Sequence, residues 1–177
     1  ALITETVGQT QLDLFARTMD HLGGPAPVIF EPLAYESLKY ACQQLFGSPM
    51  LPGLHMDRAD LLLGFGADFL ETWLSPVEYA RKFKAMHLLS NGTKGMFIQV
   101  SPFQSLTGAN ADRWIGCRPG TEAIVILGLI HRLTNGDSPR QVSRKLRGVL
   151  TELSKAYSPD AVARMSGVTP KDLTTIA

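Results

Sequence analysis

The segment RADLLLGFGADFLE, residues 58–71, carries the strongest indication of the fold. An apolar run at residues 61–65 has no helical spacing, and Gly66, Ala67 and Asp68 follow it at once. A fully buried strand of a parallel sheet has this composition, because helices cover both of its faces. Small residues at its carboxyl end allow another backbone or a flat polar ligand to approach, and ligands bind at that end in open α/β sheets. A tight strand-to-loop turn without a ligand fits the same residues.

Length and composition are typical of one globular domain. A chain of 177 residues can bury roughly 70% of its unfolded surface. Hydrophobic residues make up 45%, and the net charge of +1 gives no argument for a nucleic-acid partner. No apolar run approaches the roughly 20 residues that span a bilayer. Cys42 and Cys117 lack any close metal-ligand spacing, so we interpret both as core residues and predict no metal site.

Strand-like and helix-like segments alternate along the chain. The predicted strands are 2–4, 28–30, 61–65, 95–100 and 114–117. Of the predicted helices between and after them, one begins at Thr10, a second ends before Gly47, a third begins at Pro76 and a fourth covers 121–133. Strands separated by helix-length segments indicate βαβ units with right-handed crossovers. We therefore predict an α/β fold: a three-layer α/β/α, Rossmann-like domain with a mainly parallel sheet of about five strands. The expected order is 2-1-3-4-5, with strand 61–65 at the centre.

Further helices follow the predicted sheet. Ser138-Pro139, Ser158-Pro159 and Thr169-Pro170 are each typical of a helix start. The basic residues of the first of these helices, Arg140, Arg144, Lys145 and Arg147, are expected to form a solvated face. These helices have the character of an appendage. We accordingly predict a Rossmann-like domain of residues 1–137 and a C-terminal helical extension of residues 138–177.

Residues that carry chemistry are few. The sequence contains no GxSxG, GxGxxG or phosphate-loop motif and no convincing nucleophile–base pair. Four loops should nevertheless meet at one edge of the sheet: 5–8, 66–71, 101–104 and 118–122. Glu122 opens a predicted helix, where a carboxylate is favoured by about 0.3–1 kcal/mol; a carboxylate there could also accept two hydrogen bonds from a guanine. Trp73 and Trp114 are interpreted first as core residues, with ligand stacking or an interface as alternatives.

Two long stretches carry a family resemblance. LLLGFGADFLETWLSPVEYAR (61–81) and VSPFQSLTGANADRWIGCRPGTEAIVILGLIHRL (100–133) resemble catalytic-type subunits of the molybdopterin oxidoreductases, the dimethyl sulfoxide reductase superfamily. The phrases GADFLETWLSP, ANAD-W and RPGTE are similar to the molybdopterin-like subunits of alternative complex III and the menaquinone reductase complex. The resemblance is strong from about Val28 to Leu133. Such subunits are several times longer, so we expect this chain to be an excised middle domain.

The resemblance implies a cofactor-binding role for the edge of the sheet. In the family, this domain holds the guanosine end of a molybdopterin guanine dinucleotide. The implied cofactor-binding residues are Gly66, Ala67, Asp68, Ser101, Gly120, Thr121 and Glu122. No catalytic residue and no metal ligand is implied within the chain, and the isolated fragment is expected to hold no cofactor.

One departure from the family pattern bears on that role. Members that carry the cofactor usually have Asp-Pro-Arg after the fourth strand, where this chain has Ser101-Pro102-Phe103. The change removes a hydrogen-bonding acid and a charge that would neutralise phosphate. The sequence therefore favours a fold retained after its cofactor site decayed. The alternatives are the guanosine-binding domain of an active molybdenum oxidoreductase of the polysulfide or tetrathionate reductase type, and a free-standing α/β binding protein.

The resemblance also implies a setting for the parent protein. Its partners would be the remaining domains of the parent subunit and the iron–sulfur and membrane subunits of a quinone-linked respiratory complex. The location would be periplasmic, since such subunits usually carry a twin-arginine export signal. Attachment to the membrane would then depend on the partner subunits, without direct insertion of this domain.

Overall fold

A computed structural model describes residues 1–31, 35–89, 94–135 and 144–177. The chain divides into two compact units, Ala1–Leu54 and His55–Ala177. Several predicted features lie outside the described residues: the helix start at Ser138, Arg140 of that helix and the boundary between residues 137 and 138.

The first unit is a βαβ arrangement followed by a helix. Its elements are β1 (Ile3–Thr4), α1 (Gln9–His21), β2 (Val28–Ile29) and α2 (Glu36–Phe46). The two short strands are parallel, with Ile3 opposite Val28. Met19 of α1 and Cys42 of α2 are buried, as the helical spacing predicts. The α1 helix begins after Gly8 instead of at Thr10.

The second unit contains a three-stranded parallel sheet and six helices among its described residues. A 3-10 turn (Met56–Arg58) is followed by β3 (Leu61–Phe65), α3 (Pro76–His87), β4 (Met96–Ser101), α4 (Leu106–Ala109), β5 (Arg113–Gly116), α5 (Glu122–Asn135), α6 (Arg144–Ser154), α7 (Pro159–Ser166) and α8 (Pro170–Ile176). The order is β3-β4-β5, and both pairings are parallel. The predicted α/β class with parallel strands is confirmed, and α4 is an addition to it.

The centre of this sheet is β4, and not β3. The described strands form a parallel pair and a parallel triplet, so the expectation of one sheet of about five strands with 61–65 at its centre is corrected. All of β4 from Phe97 onward is buried, whereas Leu61 of β3 is 46% exposed. Apolar composition did not distinguish the two strands, because it reports contact with the helical layers and not the number of neighbouring strands.

Helices cover both faces of the triplet. On one face, Ile98 and Val100 of β4 share a core with α5, α7 and α8. On the other face, the rings of Phe69, Phe83 and Phe97 meet with centroids 5.3–5.8 Å apart. The alternation of side chains along β4 therefore serves two separate cores. The second unit is thus a three-layer α/β/α structure.

The last two helices, α7 and α8, pack into that core. Val162 of α7 and Leu173 of α8 are completely buried in the cluster that contains β4. The predicted caps are present: Ser158 accepts a hydrogen bond from the Ala161 amide, and Thr169 accepts one from the Asp172 amide. Burial of this kind stabilises each apolar side chain by about 1.5–3 kcal/mol, which is ample to fix α7 and α8 in place.

Two helices are buried along one face only. The α3 helix begins at Pro76 after Ser75, as predicted, but its buried face contains Tyr79, Phe83 and Met86, and Val77 is 75% exposed. The α5 helix is only partly enclosed: Val125, Gly128 and Leu129 are buried, while Ile126 and Leu133 are exposed. Lys145 and Arg147 are exposed, as expected. Among the described residues, no helix combines the length and apolar character needed to cross a bilayer.

Candidate functional site

Three loops gather at the carboxyl edge of the triplet. This carboxyl edge consists of residues 66–71, 101–105 and 117–122, which follow β3, β4 and β5 in turn. The Gly66 amide donates to the Val100 carbonyl at 2.9 Å, and the Cys117 amide donates to the Ser101 carbonyl at 3.3 Å. The predicted meeting of these three loops is therefore present in the structure. The fourth predicted loop, residues 5–8, belongs to the other compact unit, and its participation stays a prediction.

Gly66 and Glu122 approach each other closely. Gly66 has a φ of +66°, a conformation that favours glycine, and a Cβ added there would lie 3.5 Å from Cγ and 3.6 Å from Oε1 of Glu122. Glu122 is the first residue of α5 and is half-buried. Since β4 lies between β3 and β5, the Glu122 side chain reaches across the end of the central strand to the loop after β3.

A buried amide supports the next position in that loop. The Nε2 atom of Gln99 donates to the Ala67 carbonyl at 3.3 Å, and Gln99 is only 1% exposed. Its Oε1 atom has no hydrogen-bond partner in the described part of the chain and lies over Gly64, where a side chain would collide with it. Sequence reasoning missed Gln99, although one polar residue within an otherwise apolar strand was the signal.

Asp68 is hydrogen-bonded to the segment around α4. Its Oδ1 accepts from Ser105 Oγ at 2.8 Å, and the neighbouring Leu70 amide donates to Thr107 Oγ1 at 3.0 Å. Burial acts to raise the pKa of Asp68, but hydrogen bonds from Thr107 and Ser105 outweigh it, so the pKa lies below its ordinary value. This carboxylate therefore connects two loops inside the protein. Ser105 and Thr107 were not predicted.

The Ser101 hydroxyl makes two hydrogen bonds within the protein. Its Oγ donates to the Phe103 carbonyl at 2.8 Å and accepts from Trp114 Nε1 at 2.9 Å. Trp114 is 36% exposed and is not a core residue, contrary to our first interpretation. The other tryptophan, Trp73, is partly buried and stacks on Tyr79 with ring centroids 5.8 Å apart.

The RPGTE segment is a turn joined to α7. Gly120 has a φ of +76°, and Thr121 Oγ1 donates to the Arg118 carbonyl at 2.6 Å. The guanidinium of Arg118 donates to the carbonyls of Arg164 and Met165 at the end of α7. In the same segment, burial and the nearby charge of Glu122 raise the pKa of the Cys117 thiol. Arg118 therefore acts as a cap for α7.

The charges at this edge are mostly negative. Residues 66–71, 101–105 and 117–122 contain the carboxylates Asp68, Glu71 and Glu122 and one cationic side chain, Arg118. Glu71 accepts a hydrogen bond from the Leu106 amide at 3.3 Å. Across the described ranges, no cluster of three or more His, Cys, Asp or Glu side chains could hold a metal ion.

The seven predicted cofactor-binding residues thus lie together but make different contacts. Glu122 lies beside Gly66, and the Ala67 carbonyl accepts a hydrogen bond from Gln99 of β4. Asp68 accepts one from Ser105, which precedes α4, and Ser101 donates one to the Phe103 carbonyl. Gly120 has no atom within 4 Å of an added Cβ, so the tip of its turn is open.

Comparison with known proteins agrees with this architecture. The menaquinone reductase molybdopterin-binding-like subunit of Nitratidesulfovibrio vulgaris is 31% identical over 133 residues, which are 75% of this chain and 19% of that subunit. Acetylene hydratase from Pelobacter acetylenicus shares the fold, with a TM-score of 0.66 and 21% identity over 99% of this chain and 24% of that one. No protein-family model matches.

In sequence the chain is similar to a molybdopterin-binding-like subunit, and in fold it is similar to acetylene hydratase, so the chain is molybdopterin oxidoreductase-like. The sequence resemblance to that superfamily is thereby confirmed. Within the class, the sequence relative is a subunit of a menaquinone reductase, and the chain spans 19% of its length.

Proposed function

We propose that this chain is the middle domain of a molybdopterin-family subunit in a quinone-linked respiratory electron-transfer complex, and that its cofactor site is degenerate. The domain then has a structural role in its parent, packing against the remaining domains and against iron–sulfur and membrane subunits on the periplasmic side. The sequence relationship to a menaquinone reductase subunit supports the setting. The observation that carries the degenerate site is the charge and hydrogen bonding of the carboxyl edge.

The guanosine end of a dinucleotide would meet suitable residues. Glu122 presents a carboxylate at the first position of α5, and Gly66 leaves room beside it. A carboxylate can accept two parallel hydrogen bonds from the N1–H and amino group of guanine. This half of the edge fits the cofactor.

The phosphate groups would not meet suitable residues. Arg118 is the one cationic side chain in the three loops, and its guanidinium is hydrogen-bonded to the end of α7. Asp68 and Glu71 add negative charge, and two like charges brought to 4 Å repel by about 4 kcal/mol at an effective dielectric constant of about 20. That penalty exceeds the contribution of roughly 1 kcal/mol from a helix N-terminus. The edge as a whole therefore does not fit the dinucleotide.

The second candidate is the guanosine-binding domain of an active molybdenum oxidoreductase. One specific observation favours it: the contact between Glu122 and Gly66 keeps a carboxylate where a base could bind. The two candidates make opposite statements about binding, so one set of measurements separates them.

The test uses the full-length parent protein. We expect elemental analysis to find no stoichiometric molybdenum, and calorimetric titration of GDP to show no micromolar binding to the wild type. Glu122→Gln should leave that result unchanged, as should the control Glu152→Gln on the exposed side of α6. Stoichiometric molybdenum, or micromolar binding that disappears in Glu122→Gln but persists in Glu152→Gln, would establish the second candidate.

A further inference from the structure

Three apolar side chains are exposed beside the acids of the carboxyl edge. Phe103 is 66% exposed, Leu106 is 53% exposed and Trp114 is 36% exposed. Large aromatic side chains with this exposure are frequent anchors in protein–protein interfaces. Scattered exposed residues would carry no such meaning, so their arrangement decides the matter.

The segments that carry these side chains are neighbours at the carboxyl edge. Ser101 Oγ bonds to both the Phe103 carbonyl and Trp114 Nε1, which places the tryptophan ring beside the loop that carries Phe103. A Cβ on Gly108 of α4 would lie 3.1 Å from Cδ1 of Trp114. Leu106 begins α4, so the ring also lies against the helix that carries Leu106.

An acid completes the surface. Glu71 Oε2 accepts from the Leu106 amide at 3.3 Å and therefore lies at the edge of this apolar group. Among the described residues, no ion pair involves Glu71, Asp68 or Glu122. The surface thus combines aromatic faces with carboxylates that have no cationic partner in this part of the chain.

The surface is also held in place before any partner arrives. Ser105 accepts from the Gly108 amide and caps α4, while its Oγ donates to Asp68. The Trp114 ring is flanked by Gly108 on one side and by Gly116 on the other, where an added Cβ would be 3.3 Å from the ring. A preorganised surface loses little conformational freedom on binding, which favours association.

We propose that this surface, formed by Phe103, Leu106, Trp114 and Glu71, binds an arginine-bearing segment of another domain of the same parent subunit, most of whose length lies outside this chain if it resembles its sequence relative. A guanidinium stacks on an aromatic face and pairs with a carboxylate through two parallel hydrogen bonds, so it matches both components of the surface. The inference rests on the proposed function, because a dinucleotide bound at the carboxyl edge would compete for the same place. Phosphate-bearing ligands are disfavoured by the acids.

The test is a site-specific photo-cross-linking experiment in the full-length protein within its native complex. A benzoylphenylalanine replaces Phe103, and a matched control carries it at Val77, which is 75% exposed on α3. We expect position 103 to form a cross-link to a defined segment that contains an arginine, identified by mass spectrometry, and position 77 not to reach that segment. Glu71→Lys should reduce the yield at position 103 about fivefold or more, and Glu152→Lys should not.

Three outcomes would overturn the inference: no polypeptide cross-link at position 103, a cross-link to a different subunit, or a cross-link whose yield Glu71→Lys leaves unchanged. If Glu71→Lys prevents assembly, Glu71→Gln takes its place, and the identity of the segment joined at position 103 still decides. Molybdenum and bound nucleotide are measured on the same sample. An empty cofactor site without a cross-link overturns this inference alone, whereas a loaded site overturns the proposed function independently of the cross-link.

Discussion

The Glu122 side chain lies beside Gly66, with its Cγ 3.5 Å from the place that a Cβ on Gly66 would occupy, so the first residue of α5 borders the turn that ends β3. The contact crosses the carboxyl end of β4, which lies between β3 and β5. It makes the loops after β3 and β5 neighbours although their strands do not pair. A substitution at either residue should therefore alter the environment of the other.

Gly66→Ala should destabilise the protein by about 1 kcal/mol, because an alanine disfavours the left-handed conformation at a φ of +66°. The contact with Glu122 is an ordinary van der Waals distance, so strain and not collision sets this value. Chemical denaturation of the full-length protein gives the measurement. The control is Gly148→Ala in α6, where an added Cβ meets nothing within 4 Å and should stabilise the protein by about 0.5–1 kcal/mol. Equal effects at both glycines would contradict this account.

Gly128→Ala should destabilise the protein by about 1–3 kcal/mol through overpacking. The new Cβ would lie 2.6 Å from Cγ2 of Val162, where α5 meets α7. Val162→Ala removes the opposing methyl groups, and the double variant should be more stable than the sum of the two single changes implies. A double-mutant cycle measures this coupling, and strictly additive effects would show that the helices do not approach as described.

Asp112 should make the protein sensitive to acid. Its Oδ2 accepts from the Phe97 amide at 2.9 Å and lies 2.9 Å from His87 Nε2, while its Oδ1 accepts from Lys94 Nζ. Burial acts to raise the pKa of Asp112, but hydrogen bonds from Lys94, the Phe97 amide and His87 outweigh it and hold the pKa well below its ordinary value of 3.8. A lowered pKa in the folded state contributes stability that is complete above the unfolded pKa and is lost as the pH falls through the folded one.

We therefore expect Asp112→Asn to lower the free energy of unfolding at pH 7 by on the order of 2 kcal/mol. The difference from wild type should shrink as the pH falls below about 4, because the wild-type carboxylate is then losing its charge in the unfolded state. Urea titrations at several pH values provide the comparison. A difference that stays constant from pH 7 to pH 2 would rule out the charge of Asp112 as the cause.

Ser101→Ala should cost about 1 kcal/mol, because it removes the acceptor of the Trp114 indole N–H and the donor to the Phe103 carbonyl. Trp114→Phe removes only the first of these hydrogen bonds, together with part of the ring. The two effects should be less than additive in thermal unfolding, since both variants lose the same indole–hydroxyl contact. Exchange protection of backbone amides around Phe103 should fall in both.

Local sequence signals predicted most of the elements well. The small residues after 61–65 correctly placed a turn at Gly66, and Ser158-Pro159 and Thr169-Pro170 correctly placed two helix starts. Such signals work because their physical cause, a cap or a left-handed turn, lies within a few residues of the chain. The predicted parallel sheet supplied the edge at which the loops meet, and the family resemblance added the cofactor-binding role expected there.

Features that depend on distant partners were not predictable in this way. Ser105 donates a hydrogen bond to Asp68, and Thr107 accepts one from the Leu70 amide; these two residues belong to the N-cap and the body of a four-residue helix that has no clear periodicity. The central position of β4 depends on which strands pair, and strand composition does not report pairing. The exposure of Trp114 likewise follows from the glycines packed beside its ring.

Arg118 has a consequence for the order in which this protein is completed during synthesis. Its amide and its guanidinium both bond to the last carbonyls of α7, which the ribosome makes well after β5 and its turn. A nascent chain can close the β3–β4–β5 pairings first, but it cannot give the RPGTE turn these partners until α7 has emerged. We therefore expect the carboxyl edge to be among the last regions to gain protection from proteolysis as the chain grows.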